Sequence, residues 1–78
     1  MDKVQFLYHE ANDDVFAYFP EINGDSKGNK TSYAHIGQHS ACSPKYAKEC
    51  KQATKEQYLP LMKELEGIGY TLQVIDKP

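Results

Sequence analysis

The stretch TKEQYLPLMKELEGIGYTLQVID, residues 54–76, decides the fold because the spacing of its apolar side chains changes near its middle. In its first part, apolar residues recur at i, i+3, i+4 and i+7, which is the spacing of one helix face. These residues are Tyr58, Leu61, Met62 and Leu65. Gly67 and Gly69 then form a helix stop, and residues 70–75 alternate between apolar and polar as in a strand. The stretch therefore predicts a helix followed by a final strand.

Two capping signals mark where helical structure begins. Thr54 and Gln57 fit a capping box, in which each side chain accepts a hydrogen bond from the backbone of the other residue. Further upstream, Ser43 followed by Pro44 combines an N-cap residue with the proline that the first helical turn tolerates. We therefore expect helical structure over 44–66, with a second helix beginning at Thr54.

Pro60 falls inside the second predicted helix. A proline in a helix interior removes one backbone hydrogen bond and often produces a kink. Because the apolar stripe continues unchanged to Leu65, we expect a local irregularity near residues 56–60 rather than the end of the helix.

The N-terminal half predicts three strands, at 3–9, 15–20 and 31–37, separated by polar and glycine-rich turns. With the helices and the final strand, the order is β-β-β-α-α-β. This order predicts an α+β fold: a mostly antiparallel four-stranded sheet with the helices packed on one face, in a single domain spanning 1–78. The predicted core comprises Val4, Phe6, Leu61, Met62, Leu65, Leu72 and Val74.

The sheet has more apolar residues than one covered face requires, because the second predicted strand, VFAYFP, is apolar on both faces. If both helices lie on one face, an apolar patch is left on the other. This patch comprises Leu7, Phe16, Tyr18 and Ile75. Monomers rarely expose a large contiguous patch, and a domain of this size often needs a partner subunit for stability, so we expect a homodimer that buries these residues.

Composition excludes several classes of partner. The net charge is −2 and all nine basic residues are lysines, so the chain lacks both the arginines and the positive charge typical of nucleic-acid binding. Its beginning, MDKVQFLYHE, has no apolar signal region, and no stretch approaches a membrane span. We therefore expect a cytoplasmic protein that binds neither nucleic acid nor membrane. Cys42 and Cys50 should be reduced in that compartment.

The stretch YAHIGQHSAC, residues 33–42, contains three residues that bind zinc in other proteins, namely His35, His39 and Cys42. The set is incomplete, since the spacing selects neither His9 nor Cys50 as a fourth ligand. Cys42 precedes the predicted helix start at Ser43, and a helix N-terminus can lower a thiol pKa and activate it. The simpler interpretation places His35 in a strand, His39 in a polar loop and Cys42 beneath the helix. We favour this interpretation and expect no cofactor.

The segments VFAYFPEI, YAHIGQHSAC and EQYLPLMKELEGIGYTLQVID together resemble a group of small proteins of Bacteroides-type gut bacteria. The resemblance covers nearly all of the chain, although Ser32 stands where the group suggests a cysteine. It implies a small bacterial α+β protein and transfers no activity, cofactor or residue role.

Two functions of different classes remain open. The leading hypothesis is a non-enzymatic interaction or accessory protein that acts as a homodimer, because no convergent set of acid and base residues is visible. The alternative is a metal- or thiol-dependent regulator that uses His35, His39 and Cys42. An enzyme comes third, because a domain this small has little depth for a substrate pocket.

Overall fold

The computed structural model describes residues 2–10, 14–34 and 38–75, with the backbone alone at 38–40. Within these ranges the chain forms six strands and two helices. In chain order they are β1 (Asp2–His9), β2 (Asp14–Asn23), β3 (Lys30–Ala34), β4 (Gln38–Cys42), α1 (Pro44–Glu49), β5 (Lys51–Gln52), α2 (Lys55–Ile68) and β6 (Leu72–Val74). The predicted α+β class is confirmed, whereas the number of strands differs from the prediction.

The six strands form one mostly antiparallel sheet, in which five have the order β4-β3-β2-β1-β5 and β6 pairs with β1 beside this path. The first four strands are consecutive antiparallel neighbours, so the predicted N-terminal meander is confirmed and extended by one strand. β1 has two neighbours along its other side: β5 pairs antiparallel with Leu7 and Tyr8, while β6 pairs parallel with residues 2–4. The final strand therefore joins the sheet as predicted, but as its parallel member.

One face of the sheet packs against α2, as the apolar stripe predicted. We call the buried residues on this side the α2 core. They are Val4, Phe6, Ala17, Phe19, Tyr33, Ala53, Leu61, Leu65 and Leu72. The ring of Tyr58 stacks on that of Phe6, with centroids 4.4 Å apart and planes 7° apart, and so fixes α2 against β1.

The N-terminus of α2 forms as its motif predicted, whereas its C-terminus lies at Ile68, two residues beyond the predicted end at 66. Thr54 and Gln57 make the capping box, with the Thr54 N–H donating to Gln57 Oε1 at 2.8 Å. At the other end Gly69 has φ 121°, a region that favours glycine, and the Tyr70 N–H donates to the Leu65 carbonyl at 3.2 Å. Pro60 lies inside the continuous helix, which confirms that it does not end α2.

The opposite face of the sheet is covered by α1, which corrects the prediction that both helices share one face. α1 connects β4 at one margin of the sheet to β5 at the other, so its path crosses this second face. Ser43 caps the helix by accepting from the Tyr46 N–H at 3.1 Å. We call the buried cluster that α1 forms with this face the α1 core. Its residues are Leu7, Tyr18, Cys42, Ala47 and Cys50, with Phe16 packed at their side.

Three strand predictions were wrong or incomplete. The polar loop predicted at Gln38 and His39 is part of β4, and the predicted helical segment 44–66 is interrupted by β5. β4 was missed because QHSAC has no alternating apolar pattern, and it forms only by pairing along the whole of β3. Of the predicted strand 31–37, residues 31–34 belong to β3, and 35–37 lie outside the described residues.

The predicted core is correct except at its edges. Val4, Phe6, Leu61, Leu65 and Leu72 are buried, whereas Met62 is only partly buried against them. Val74 is 38% exposed and is the last residue of β6, a strand that pairs only with β1 among the described strands.

Candidate functional site

The residues predicted to form an exposed interface are mostly covered within the chain. Leu7 is fully buried and Tyr18 is 5% exposed, because α1 lies over both of them. Phe16 is half-buried against the same core, and Ile75 is half-buried, with its N–H donating to the Val4 carbonyl at 2.9 Å. The apolar patch on which the interface was predicted is therefore filled by α1, and these four residues do not form one exposed surface.

The described part of the chain does not bring together the three candidate metal ligands of the less favoured hypothesis. His35 lies outside the described residues. Positions 39 and 42 are three residues apart in β4, an odd spacing that places them on opposite faces of the sheet. Among the side chains that the structure describes, which exclude those of residues 35–40, no group of three histidine, cysteine or acidic residues is arranged to hold a metal ion.

Cys42 is a buried thiol rather than an activated one. It ends β4 beneath α1, and its Sγ lies 3.5 Å from the Ser43 carbonyl oxygen, to which it donates. Burial raises the pKa of the Cys42 thiol, and the neighbouring Cys50 raises it further. The raised pKa agrees with the favoured interpretation, which places Cys42 beneath the helix, because burial penalises the thiolate.

An aromatic group that sequence reasoning missed borders the α1 core. The Tyr46 ring lies 5.4 Å from the His9 ring and 6.1 Å from the Phe16 ring, measured between centroids. His9 Nδ1 is buried and has no hydrogen-bond partner among the described residues. Burial raises the pKa of the Tyr46 hydroxyl, with a further contribution from Cys50. No sequence motif links these residues, because β1, β2 and α1 bring them together only in the fold.

A candidate binding feature is the outer edge of β4. This strand is the last in the sheet order, and all five of its residues pair with β3, from Lys30↔Cys42 to Ala34↔Gln38. An edge strand presents alternate backbone N–H and C=O groups to whatever lies beside it. The sequence QHSAC contains no proline, lysine or acidic residue, which are the usual protections of such an edge. Ala41, near its end, is exposed and small.

Among the described strands, the other margin of the sheet offers no comparable edge. There β5 supplies two residues and β6 supplies three, and they run in opposite directions along β1. An added strand would meet two short segments of opposite polarity at this margin. β4 is therefore the one long continuous edge of the sheet that residues 2–10, 14–34 and 38–75 form.

Comparison with protein-family models, with characterised proteins and with solved structures found no match to this chain. The resemblance to proteins of Bacteroides-type bacteria therefore stays an expectation from the sequence. Among the described helices, none has the length and apolar character that crossing a bilayer requires.

Proposed function

We propose that this chain is a non-enzymatic protein-interaction or accessory protein of the cytoplasm, that it acts as a homodimer, and that it binds through the β4 edge. The observation that carries the proposal is the unprotected five-residue edge of β4 in a sheet whose two apolar faces are covered by α1 and α2. Strand addition at such an edge is a common mode of protein recognition.

The chemistry of the α1 core favours binding over catalysis. A cysteine nucleophile needs a thiolate, and both burial and Cys50 raise the pKa of Cys42. Cys50 is also buried, and both cysteines are free thiols, which fits a reducing compartment. These buried thiols belong to the core between α1 and the sheet, so we assign them a packing role and place the partner at the β4 edge.

The composition of β4 favours a second copy of the same chain as the partner. Two edges that carry charge of one sign repel each other when they pair, and lysine at an edge commonly prevents self-association. β4 carries no lysine, arginine or acidic residue, so pairing two copies opposes no fixed like charges. A domain of 78 residues also gains stability from a partner subunit more readily than a large one does.

The test is to place a charge on the edge and measure association. Ala41→Lys adds a lysine at an exposed β4 position, so the fold should be kept while self-pairing is prevented. Sedimentation velocity over about three decades of concentration should show a dimer for the unmodified chain and a monomer for the variant. The melting midpoint of the unmodified chain should rise with concentration, since association stabilises the native state by mass action.

A matched control places the same charge on the opposite margin. Gln73 is an exposed residue of β6, and Gln73→Lys should leave the dimer intact. The proposal is wrong if the unmodified chain is monomeric over the whole concentration range. It is also wrong if Gln73→Lys dissociates the dimer while Ala41→Lys does not.

A further inference from the structure

We infer that two copies of this chain pair antiparallel through β4, with Ser40 of each copy meeting at a two-fold axis. The inference rests on the proposed function and adds the direction, register and symmetry of the contact. It follows from the bounds of β4, from its pairing with β3, and from the symmetry that a closed dimer requires.

Symmetry sets the direction of pairing. Most homodimers are closed by a two-fold axis, so the same surface is used on both copies. Two identical edge strands related by such an axis run antiparallel, and the axis stands perpendicular to the sheet. Rotation about this axis leaves the same face of the sheet on the same side in both copies. The two α1 helices would then lie on one face of a continuous sheet, and the two α2 helices on the other.

The pairing of β4 with β3 restricts the register. In an antiparallel ladder, the N–H and C=O of one residue point to the same neighbouring strand, and those of the next residue point to the opposite side. Every second residue of β4 therefore directs its N–H and C=O away from β3. If position 40 pairs with itself, position 39 meets 41 and position 38 meets 42. Residues 38, 40 and 42 then pair only with one another, and residues 39 and 41 do the same. The residues whose backbone groups point away from β3 therefore meet their equals in the other copy, whether they are the odd or the even positions.

The bounds of the strand select position 40 among the symmetric registers. With the axis at Ser40, all five residues from Gln38 to Cys42 are paired. With the axis at Ala41, the pairing would continue to Ser43 and Pro44, where the chain has already turned into α1. Only residues 40–42 would then be paired. The register about Ser40 therefore forms the longest ladder that β4 permits.

Cysteine crosslinking tests this register directly. In Ser40→Cys the two new thiols lie on directly opposite residues, about 4.5–5.5 Å apart between Cα atoms. In Ala41→Cys they lie two residues out of register, beyond the roughly 7 Å that a disulfide spans. With diamide as the oxidant, which takes up the two hydrogens that the thiols lose, Ser40→Cys should form a covalent dimer at least about tenfold faster than Ala41→Cys. Peptide mapping identifies the joined residues, so the native cysteines can be kept.

Amide hydrogen exchange on the unmodified chain gives a second readout that needs no variant. The peptide that contains residues 38–42 should exchange at least about tenfold more slowly at high than at low protein concentration, whereas β6 should show no change.

The outcomes separate this inference from the proposed function. Equal or faster crosslinking of Ala41→Cys overturns the register, as does a dimer in which neither variant crosslinks and β4 exchange is independent of concentration. The first result leaves a dimer through β4 standing, whereas the second leaves a dimer but also overturns the β4 edge as its contact. A chain that is monomeric throughout overturns the proposed function, and this inference with it.

Discussion

Cys42 and Cys50 lie at the two ends of α1, and both are buried in the core that this helix covers. Cys42 ends β4 just before the N-cap, and Cys50 is the C-cap, whose N–H donates to the Ala47 carbonyl at 3.3 Å. The two thiols thus anchor both ends of a helix in which Ala47 is the buried side chain. A six-residue helix is marginal alone, so α1 depends on these contacts for its position.

The first prediction concerns the pH dependence of stability. The pKa of Cys42 is raised in the folded state, so folding binds this proton more tightly than the unfolded chain does. The resulting stabilisation is fully present below the ordinary thiol pKa of 9.0 and is lost as the pH rises through the folded value. Urea unfolding between pH 7 and 10 should therefore show a steeper alkaline loss for the unmodified chain than for Cys42→Ala. Equal slopes would contradict the burial of this thiol.

The second prediction separates a residue covered by α1 from an interface residue. Leu7 is fully buried, so Leu7→Ala should lower the free energy of unfolding by about 2–5 kcal/mol. Because α1 rather than a partner covers Leu7, the loss should be the same at low and high protein concentration. Val74→Ala, at a residue that is 38% exposed, is the control and should cost less than about 1 kcal/mol. If Leu7→Ala dissociated a dimer without lowering the free energy of unfolding, Leu7 would instead be an interface residue.

Features of the fold that depend on neighbours in sequence were predicted correctly. The capping box at Thr54 and Gln57 and the glycine end at Gly69 each involve a few consecutive residues, whose identities determine the hydrogen bonds. β4 could not be predicted in this way, because its partner positions, such as Ser32 for Ser40, depend on how the chain returns along β3. Long-range pairing leaves little signal in a short polar segment.

The candidate site was predicted less well than the fold, for a related reason. The surplus of apolar residues on the second face was real, but the prediction assigned its covering to another chain. α1 carries no apolar stripe that would reveal this role, since Ala47 is its buried residue and Tyr46 is 38% exposed. The covering depends on the path from β4 to β5 across the sheet, and neither of these strands was predicted.

The third prediction tests the N-terminal cap of α2. Thr54→Ala removes the oxygen that accepts from the Gln57 N–H at 3.3 Å, and should lower stability by about 0.5–2 kcal/mol. Thr54→Ser keeps the hydroxyl and should recover most of the loss. The matched control is Thr71→Ala, at an exposed threonine outside both helices. A loss at Thr71 as large as that at Thr54 would show that the cap is not the cause.

The fourth prediction concerns the two functions left open by the sequence. If His35, His39 and Cys42 formed a structural zinc site, metal binding would be coupled to folding and a chelator would unfold the chain. The opposite-face placement of positions 39 and 42, with a buried Cys42 whose pKa is raised, opposes such a site. We therefore expect that a strong chelator leaves the melting midpoint unchanged, that elemental analysis finds less than one zinc per chain, and that His39→Ala is nearly silent for stability.

Protein concentration supplies the contrasting measurement for this fourth prediction. Under the proposed dimer, the melting midpoint rises with concentration in the presence and absence of chelator alike, because the β4 contact needs no metal. Dilution thus tests association of the chain, whereas chelation tests metal binding. A midpoint that falls on chelation and does not respond to dilution would exclude the dimer and favour the metal-dependent regulator. A second result would also contradict the prediction: one equivalent of zinc per chain that is lost, together with stability, in His39→Ala. Such a result would place the ligand set on β4, and the strand would then have to change its pairing with β3.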